Sequence, residues 1–287
     1  MLAGIIRWMF GLGFGLFLCL LLGLAFWHRK IYSENCLACT QWAIKTFGRI
    51  QDPEIDESSG LAFWKKDLFF THNDDTDSSL YLLNAKGKRL KKWTIPYTNR
   101  DWEDLSMNAS GKLFLGDFGN NLNADRPLKI YIIDPTREKV EGIIRFRYAE
   151  QTRFPPLWPG QMNFDCEAMV AWKDSIYLFT KNKSERNTWV YVLPARPGSY
   201  VIRKKLEMPI LGLVTAAALR PDGQELALLT YGKIYFHHLS NGLAHIDLSN
   251  SCLAYWQFRQ SESLSYWGRD SLLAGNEQGE LFLVTRK

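Results

Sequence analysis

The chain has 287 residues, enough for one large domain with a sizeable core. With 46% apolar and 23% charged residues it is neither a disordered chain nor a polytopic membrane protein. Its 35 Lys+Arg against 30 Asp+Glu leave a net charge of +5, too small and too scattered for a nucleic-acid-binding surface. The 14% aromatic content favours β structure.

A short tail over residues 1–7 leads into an uncharged apolar run over residues 8–27. About 20 such residues span a bilayer as a helix. Trp8, Phe10, Phe26 and Trp27 stand at its ends, where amphipathic rings favour the interface. The run ends in Ala-Phe-Trp-His-Arg-Lys, a poor signal-peptide cleavage site, so the reading is a retained signal-anchor with a single transmembrane helix. Arg7 on one side and Arg29 with Lys30 on the other leave its orientation open. Residues 28–42 read as a juxtamembrane linker. Its Cys36 and Cys39 lack the second close pair of a zinc site and the βαβ context of a redox pair. With Cys166 and Cys252 they could form two disulfides outside the cytoplasm, or the latter two could be small buried apolar residues.

Residues 43–287 carry a fivefold repeat, with copies opening at Ser59, Glu103, Glu167, Ala217 and Glu262. Spacings of about 45–65 residues with short strands are those of β-propeller blades. In each copy a polar turn follows the first strand. The second strand ends in a small residue and then a polar or aromatic one: Thr71-His72, Gly116-Asp117, Thr180-Lys181, Thr230-Tyr231 and Gly275-Asn276. A third strand carries an aromatic in one slot, namely Tyr81, Tyr131, Tyr191, Tyr235 and Phe282, read as core. Fourth strands are expected over residues 89–95, 142–148 and 200–206. The last copy stops after three strands, and residues 43–50 are expected to supply its fourth, closing the ring and removing exposed sheet edges. The expectation is an all-β propeller of five blades; six is the alternative, because the stretch from Glu103 to Glu167 is long.

Loops entering the first strand and leaving the second open on one face of a propeller, where function gathers. Glu103, Glu167 and Glu262 therefore converge on one rim, with Asp117, Asn120 and Asn276 adding oxygen donors. Several carboxylates held together call for a cation or a proton between them. An oxygen donor set suits a divalent cation of the calcium kind, while zinc and copper lack their His or Cys ligands in these slots. The alternative is that the same carboxylates cap backbone amides or pair with Lys181 and nearby arginines. The loop from Asn73 through Asp75 to Asp77 alternates oxygen ligands as a calcium loop does, but Ser78 replaces its glycine, so it reads as a solvated turn from which Asn73 or Asp75 reaches the rim. His72, Arg126, Lys181 and Tyr231 complete the rim candidates, Arg126 for anion recognition. Nucleophile motifs such as a GxSxG elbow, a P-loop or HExxH are absent from the sequence.

Five segments carry a family resemblance: Ser58-Ser59-Gly60-Leu61-Ala62, Asp101-Trp102-Glu103-Asp104-Leu105, Gly116-Asp117-Phe118-Gly119-Asn120-Asn121, Asp165-Cys166-Glu167-Ala168-Met169 and Glu262-Ser263-Leu264. On these the chain resembles the extracytoplasmic propellers grouped around phytase-like, SdiA-regulated and SMP-30/gluconolactonase-like proteins, a largely uncharacterised bacterial branch. That resemblance implies a calcium-type ion held by Glu103, Asp117, Glu167, Glu262 and Asn276, although Ser59 and Ala217 leave two slots without a carboxylate. The resulting expectation is a membrane-anchored module with its bulk in the periplasm or another outside compartment. It binds a small molecule or an envelope partner and no nucleic acid. The alternative is a metal-dependent hydrolase of phosphoesters or lactones.

Overall fold

The computed structural model describes residues 36–38, 41–158, 161–183, 187–246, 251–255 and 260–287. The segment read as a membrane span, residues 8–27, lies outside them. Among the described residues no helix is long and apolar enough to cross a membrane.

The strands of the described residues make five sheets, which form five blades. Two strands precede the first full blade: β1 (Cys36–Ala38) and β2 (Trp42–Arg49). Blade I comprises β3 (Ser58–Lys65), β4 (Leu68–Asn73), β5 (Ser79–Asn84) and β6 (Arg89–Thr94). Blade II begins with β7 (Trp102–Met107), β8 (Leu113–Asp117), β9 (Leu128–Asp134) and β10 (Lys139–Tyr148). Blade III follows with β11 (Cys166–Trp172), β12 (Ser175–Thr180) and β13 (Thr188–Pro194). Next come β14 (Gly198–Ile202) and β15 (Lys204–Met208); β15 completes blade III, whereas β14 pairs in parallel with β10 and widens blade II. Blade IV contains β16 (Val214–Leu219), β17 (Glu225–Thr230), β18 (Lys233–His238) and β19 (Ser251–Tyr255), with β1 parallel to β19 at its edge. Blade V contains β20 (Ser261–Tyr266), β21 (Ser271–Asn276) and β22 (Glu280–Arg286), closed by β2 running antiparallel to β22.

The closing strand thus forms where the incomplete last copy calls for it, and the six-blade alternative is excluded. The long interval before Glu167 holds a ten-residue β10 and a connecting segment, not another blade. The single fourth strand expected over residues 200–206 is corrected to two. The chain leaves blade II after Ile202, turns at Arg203 and enters blade III. Ala149 N donating to Ile202 O (2.8 Å) and Lys204 N donating to Glu150 Oε1 (3.0 Å) hold that crossing. Cys36–Ala38, inside the segment read as a linker, is a strand of blade IV. Cys166 is a free buried thiol, which corrects the two-disulfide alternative, and Cys252 is disulfide-bonded, so the buried-apolar alternative holds for Cys166 alone.

Why these strands form a ring follows from period-two alternation with both faces buried. In β9, Ile130 and Ile132 enter the core shared with blade III, while Tyr131 and Ile133 enter the core shared with blade I. There are five such apolar clusters, one per blade-to-blade interface. The recurrent third-strand aromatics explain themselves in this frame. Tyr81, Tyr131, Tyr191, Tyr235 and Phe282 each lie in the cluster facing the preceding blade. All five are buried, each contributing about 2–3 kcal/mol from area removed from water.

Candidate metal and ligand site at the propeller mouth

The innermost strands β3, β7, β11, β16 and β20 contact one another in a closed circuit around the axis. In β7, β11, β16 and β20 the pairing register slips by one residue near the start, leaving Glu103, Glu167, Thr215 and Glu262 as the extra residue of a bulge. A bulge re-aims the side chain it inserts. Here it turns each one out of the alternating core pattern. Blade IV therefore offers Thr215, not Ala217, in this slot, correcting the sequence alignment. Ala217 sits two residues further on and packs in the apolar core. Thr215 Oγ1 donates to Ser261 O at 2.6 Å, and Ser59 Oγ donates to Glu103 O at 2.9 Å. Thr215 and Ser59 thus stitch neighbouring blades instead of carrying charge; Ser59 pairs with His72 as Trp102 pairs with Asp117, so in blade I the position matching Glu103 is Gly60.

The acidic residues fall into two overlapping groups. Asp74, Asp101 and Glu103 each present an oxygen within 4.8 Å of the others, and so do Glu103, Asp165 and Glu167. Glu103 is shared. It is 6% exposed, and among the described residues no hydrogen-bond donor or cationic side chain reaches its carboxylate. Its protonation is pushed well above the ordinary range, first by burial and then by Glu167, Asp74 and Asp165. Gly119 makes room for it: a Cβ there would lie 1.9 Å from Glu103 Oε1 and 2.6 Å from Asp101 Cγ.

The other members are partly compensated. Arg126 donates to Asp101 Oδ2 at 2.6 Å and stands 3.5 Å from Asp117 Oδ1. Asp165 Oδ1 accepts from Asn120 N at 2.9 Å, and its Oδ2 lies 3.3 Å from Lys183 Nζ. Asp74 Oδ1 is buried without a hydrogen-bond partner, and burial followed by Asp101 raises this carboxyl to about 7. Burial likewise raises Asp101 against the pull of Arg126, and Asp117 against Lys129 and Arg126.

On the opposite side of the mouth, charge is neutralised from within. Lys181 donates to Glu167 Oε2 and to the Tyr231 hydroxyl (2.8 Å), and Tyr231 donates to Glu262 Oε1 at 2.6 Å. Burial opposes the charge on Lys181, but Glu167 and Glu262 more than restore it. Burial raises Glu262 to about 7 despite Lys181 and Tyr231.

The structure brings Glu103 and Glu167 together and links Glu167 to Glu262 through Lys181 and Tyr231. Asn276 is drawn elsewhere: Nδ2 donates to Glu280 Oε2 (2.8 Å), and Oδ1 accepts from Glu280 N (2.9 Å). Asp117 Oδ2 accepts from the Tyr131 hydroxyl at 3.2 Å, behind Arg126. The Asn120 side chain folds back on Ala124. Asn73 Nδ2 donates to Glu54 O, and Asp75 is exposed. His72 is fully buried, edge-on to Trp102 at 5.8 Å, with burial lowering it to about 4; it is a neutral packing residue of the blade I–II interface. Three carboxylates were missed as ligand candidates: Asp74, Asp101 and Asp165. The signal was a twice-repeated Asp-x-Glu, Asp101-Trp102-Glu103 and Asp165-Cys166-Glu167.

The residues present fit a hard cation. The donor set is all oxygen, Asp74 Oδ1 is buried without a hydrogen-bond donor, and neither group contains His or Cys. An uncompensated buried carboxylate costs several kcal/mol, so Glu103 faces either a proton or a positive ion.

No protein-family model and no curated protein sequence matches the chain. Solved structures do. The PQQ-bound aldose sugar dehydrogenase of Streptomyces coelicolor aligns over 87% of this chain and 100% of its own, with TM-score 0.50 and 9% identity. The β-propeller domain of Myceliophteria thermophila Cps50 (Swd1) aligns over 85% and 100%, with TM-score 0.45 and 11% identity. Virginiamycin B lyase from Staphylococcus aureus aligns over 83% and 69%, with TM-score 0.40 and 11% identity. At such identities the likeness to the dehydrogenase is one of fold. The chain is a β-propeller.

Proposed function

We propose that the chain is a membrane-anchored, extracytoplasmic propeller whose mouth holds a calcium-type cation and uses it to bind a ligand or partner with oxygen donors. The observation that carries this reading is Glu103, a buried carboxylate without a donor at the junction of two acidic groups. Glu103 with Asp74 and Asp101, or with Asp165 and Glu167, would hold the ion, and Gly119 keeps space beside them. When bound, the ion supplies charge neutralisation and coordination positions for an incoming oxygen.

Binding is favoured over turnover. A hydrolytic role would draw on Lys181, Tyr231 and Glu262, whose polar groups already satisfy one another. One further observation supports an outside location. A disulfide at Cys252 belongs to an oxidising compartment. The closing strand enters at Trp42, which pairs with Arg286 at the end of blade V remote from Glu262. An anchor over residues 8–27 would therefore hold the mouth turned away from the bilayer.

The test is a thermal melt of the purified full chain after EDTA stripping, with and without calcium. Calcium should raise the melting temperature progressively with the logarithm of its concentration, by the equivalent of about 2.7 kcal/mol at a hundredfold excess over Kd. Glu103→Gln should remove that response without lowering the melting temperature in EDTA, because it deletes an unfavourable buried charge. Identical melting of the wild type in calcium and in EDTA would refute the reading.

A further inference from the structure

A second concavity opens beside the mouth. The segment joining β10 to β11 bends around a cleft of about 580 Å³. Its floor is Phe164 and Trp189, packed edge to face at 5.8 Å and 74°. One wall is Leu157 and Trp158, 64% and 68% exposed. An indole this open to water is uncommon on a folded surface, and with Leu157 it makes an apolar patch of the kind that marks binding sites. Gln161 N donates to Trp158 O at 2.9 Å. The base of the segment is pinned by Phe164 N donating to Asn123 Oδ1 and Gln151 Nε2 donating to Asn123 O, both at 2.9 Å.

Polar groups edge this aromatic surface: Thr152 hydroxyl, Arg153 guanidinium and Gln161 amide. The indole Nε1 of Trp189, a lining residue, is buried with no hydrogen-bond partner, an orphan donor that native structures rarely leave without a reason. The combination selects a ligand class. A purely apolar occupant would strand the amide and guanidinium. Charge at the cleft is mixed, with Glu150 set against Arg153 and against Lys204, whose Nζ sits over the Trp189 ring at 4.1 Å, so it selects neither a cationic nor an anionic occupant. A molecule with a flat C–H face and an edge of hydroxyls satisfies both sets of groups, and that description is a sugar ring.

We propose that this cleft is a saccharide-binding site, with Trp158 stacking against the ring face and Thr152, Arg153 and Gln161 reading its hydroxyls. It is distinct from the acidic groups but shares a wall with them. Phe164 lines the cleft and Asp165, the next residue, lines the mouth, so a glycan chain in the cleft leads toward the mouth.

The experiment is calorimetric titration of the full chain, with EDTA present throughout, using maltohexaose, N-acetylchitohexaose and hexagalacturonate. Phosphatidylglycerol vesicles serve as a fourth titrant. At least one oligosaccharide should bind saturably in the millimolar range or tighter. Trp158→Ala should weaken it roughly tenfold or more, and Gln161→Ala several-fold, both with an unchanged melting temperature because the side chains lie on the surface. The proposal is overturned if no oligosaccharide binds saturably, if affinity survives Trp158→Ala, or if Trp158 proves necessary only for vesicle binding.

Discussion

At the scale of single residues, the same physical term gives opposite outcomes depending on company. Burial lowers His72 and His237 to about 4 and raises the mouth carboxylates, in each case by penalising the charged form. His237 is the cleaner case, since neither ring nitrogen has a hydrogen-bond partner. Its folded pKa lies below the ordinary 6.5, so the unfolded chain takes up the proton first. The contribution of neutral His237 is thus complete above pH 6.5 and is lost as pH falls toward about 4, amounting to about 3 kcal/mol by that point. Denaturation by urea across this window should show His237→Leu with a shallower acid limb than wild type, by one proton's worth of slope; equal slopes would show that His237 already carries its proton in the fold. Residue types in the mouth were largely legible in the sequence, because Glu103, Glu167 and Glu262 recur at matching places. Their geometry was not. The one-residue bulge that aims them has no signature of its own, which is why Ala217 stood in for Thr215.

At the scale of strands and blades, the repeat was readable wherever a side chain must be large or small for packing. Third-strand aromatics fill one interface each, so they recur and reveal the count. Pairing between non-adjacent segments was hidden. The segment over residues 200–206 has the alternation of a strand, and alternation does not say which sheet receives it; β14 joins blade II and β15 blade III. Polar clamps between blades were hidden too. Asp104, fully buried, accepts from Leu105 N at 2.8 Å on its own strand and from Met169 N at 2.6 Å on β11. Burial pushes this carboxyl well above its ordinary range, against the pull of both amides. Asp104→Ala strands two buried amides and should cost about 2–4 kcal/mol in chemical denaturation. Asp104→Asn keeps one acceptor without a charge to desolvate and should cost less than half as much. Equal losses would place the contribution of Asp104 in its charge and not in bridging β7 to β11.

For the whole molecule, the decisive feature is closure. A sheet of three strands at the end of the chain would expose β22 as an edge over its full length, with Leu281, Phe282 and Val284 losing cover on one side. β2 removes that edge by pairing along β22 from Trp42–Arg286 to Arg49–Glu280. Trp42 then stacks on Phe236 of blade IV at 4.5 Å and 7°, tying the closing strand to the neighbouring blade. The last residue is held the same way, with Lys287 N donating to Gln41 O at 2.7 Å. Because the apolar clusters of the described residues lie in five separate interfaces, opening one of them also frees the inner strands that fix Glu103, Glu167 and Glu262 around the axis. A chain beginning at Gln41 should therefore melt cooperatively, whereas one beginning at Gln51 should lose its cooperative transition, since the strand it lacks contributes a large share of a net stability of about 5–15 kcal/mol. The comparison is made by calorimetry and near-ultraviolet circular dichroism. If the shorter chain melts as sharply and at the same temperature, blade V is stable with three strands, and closure does not hold the mouth together.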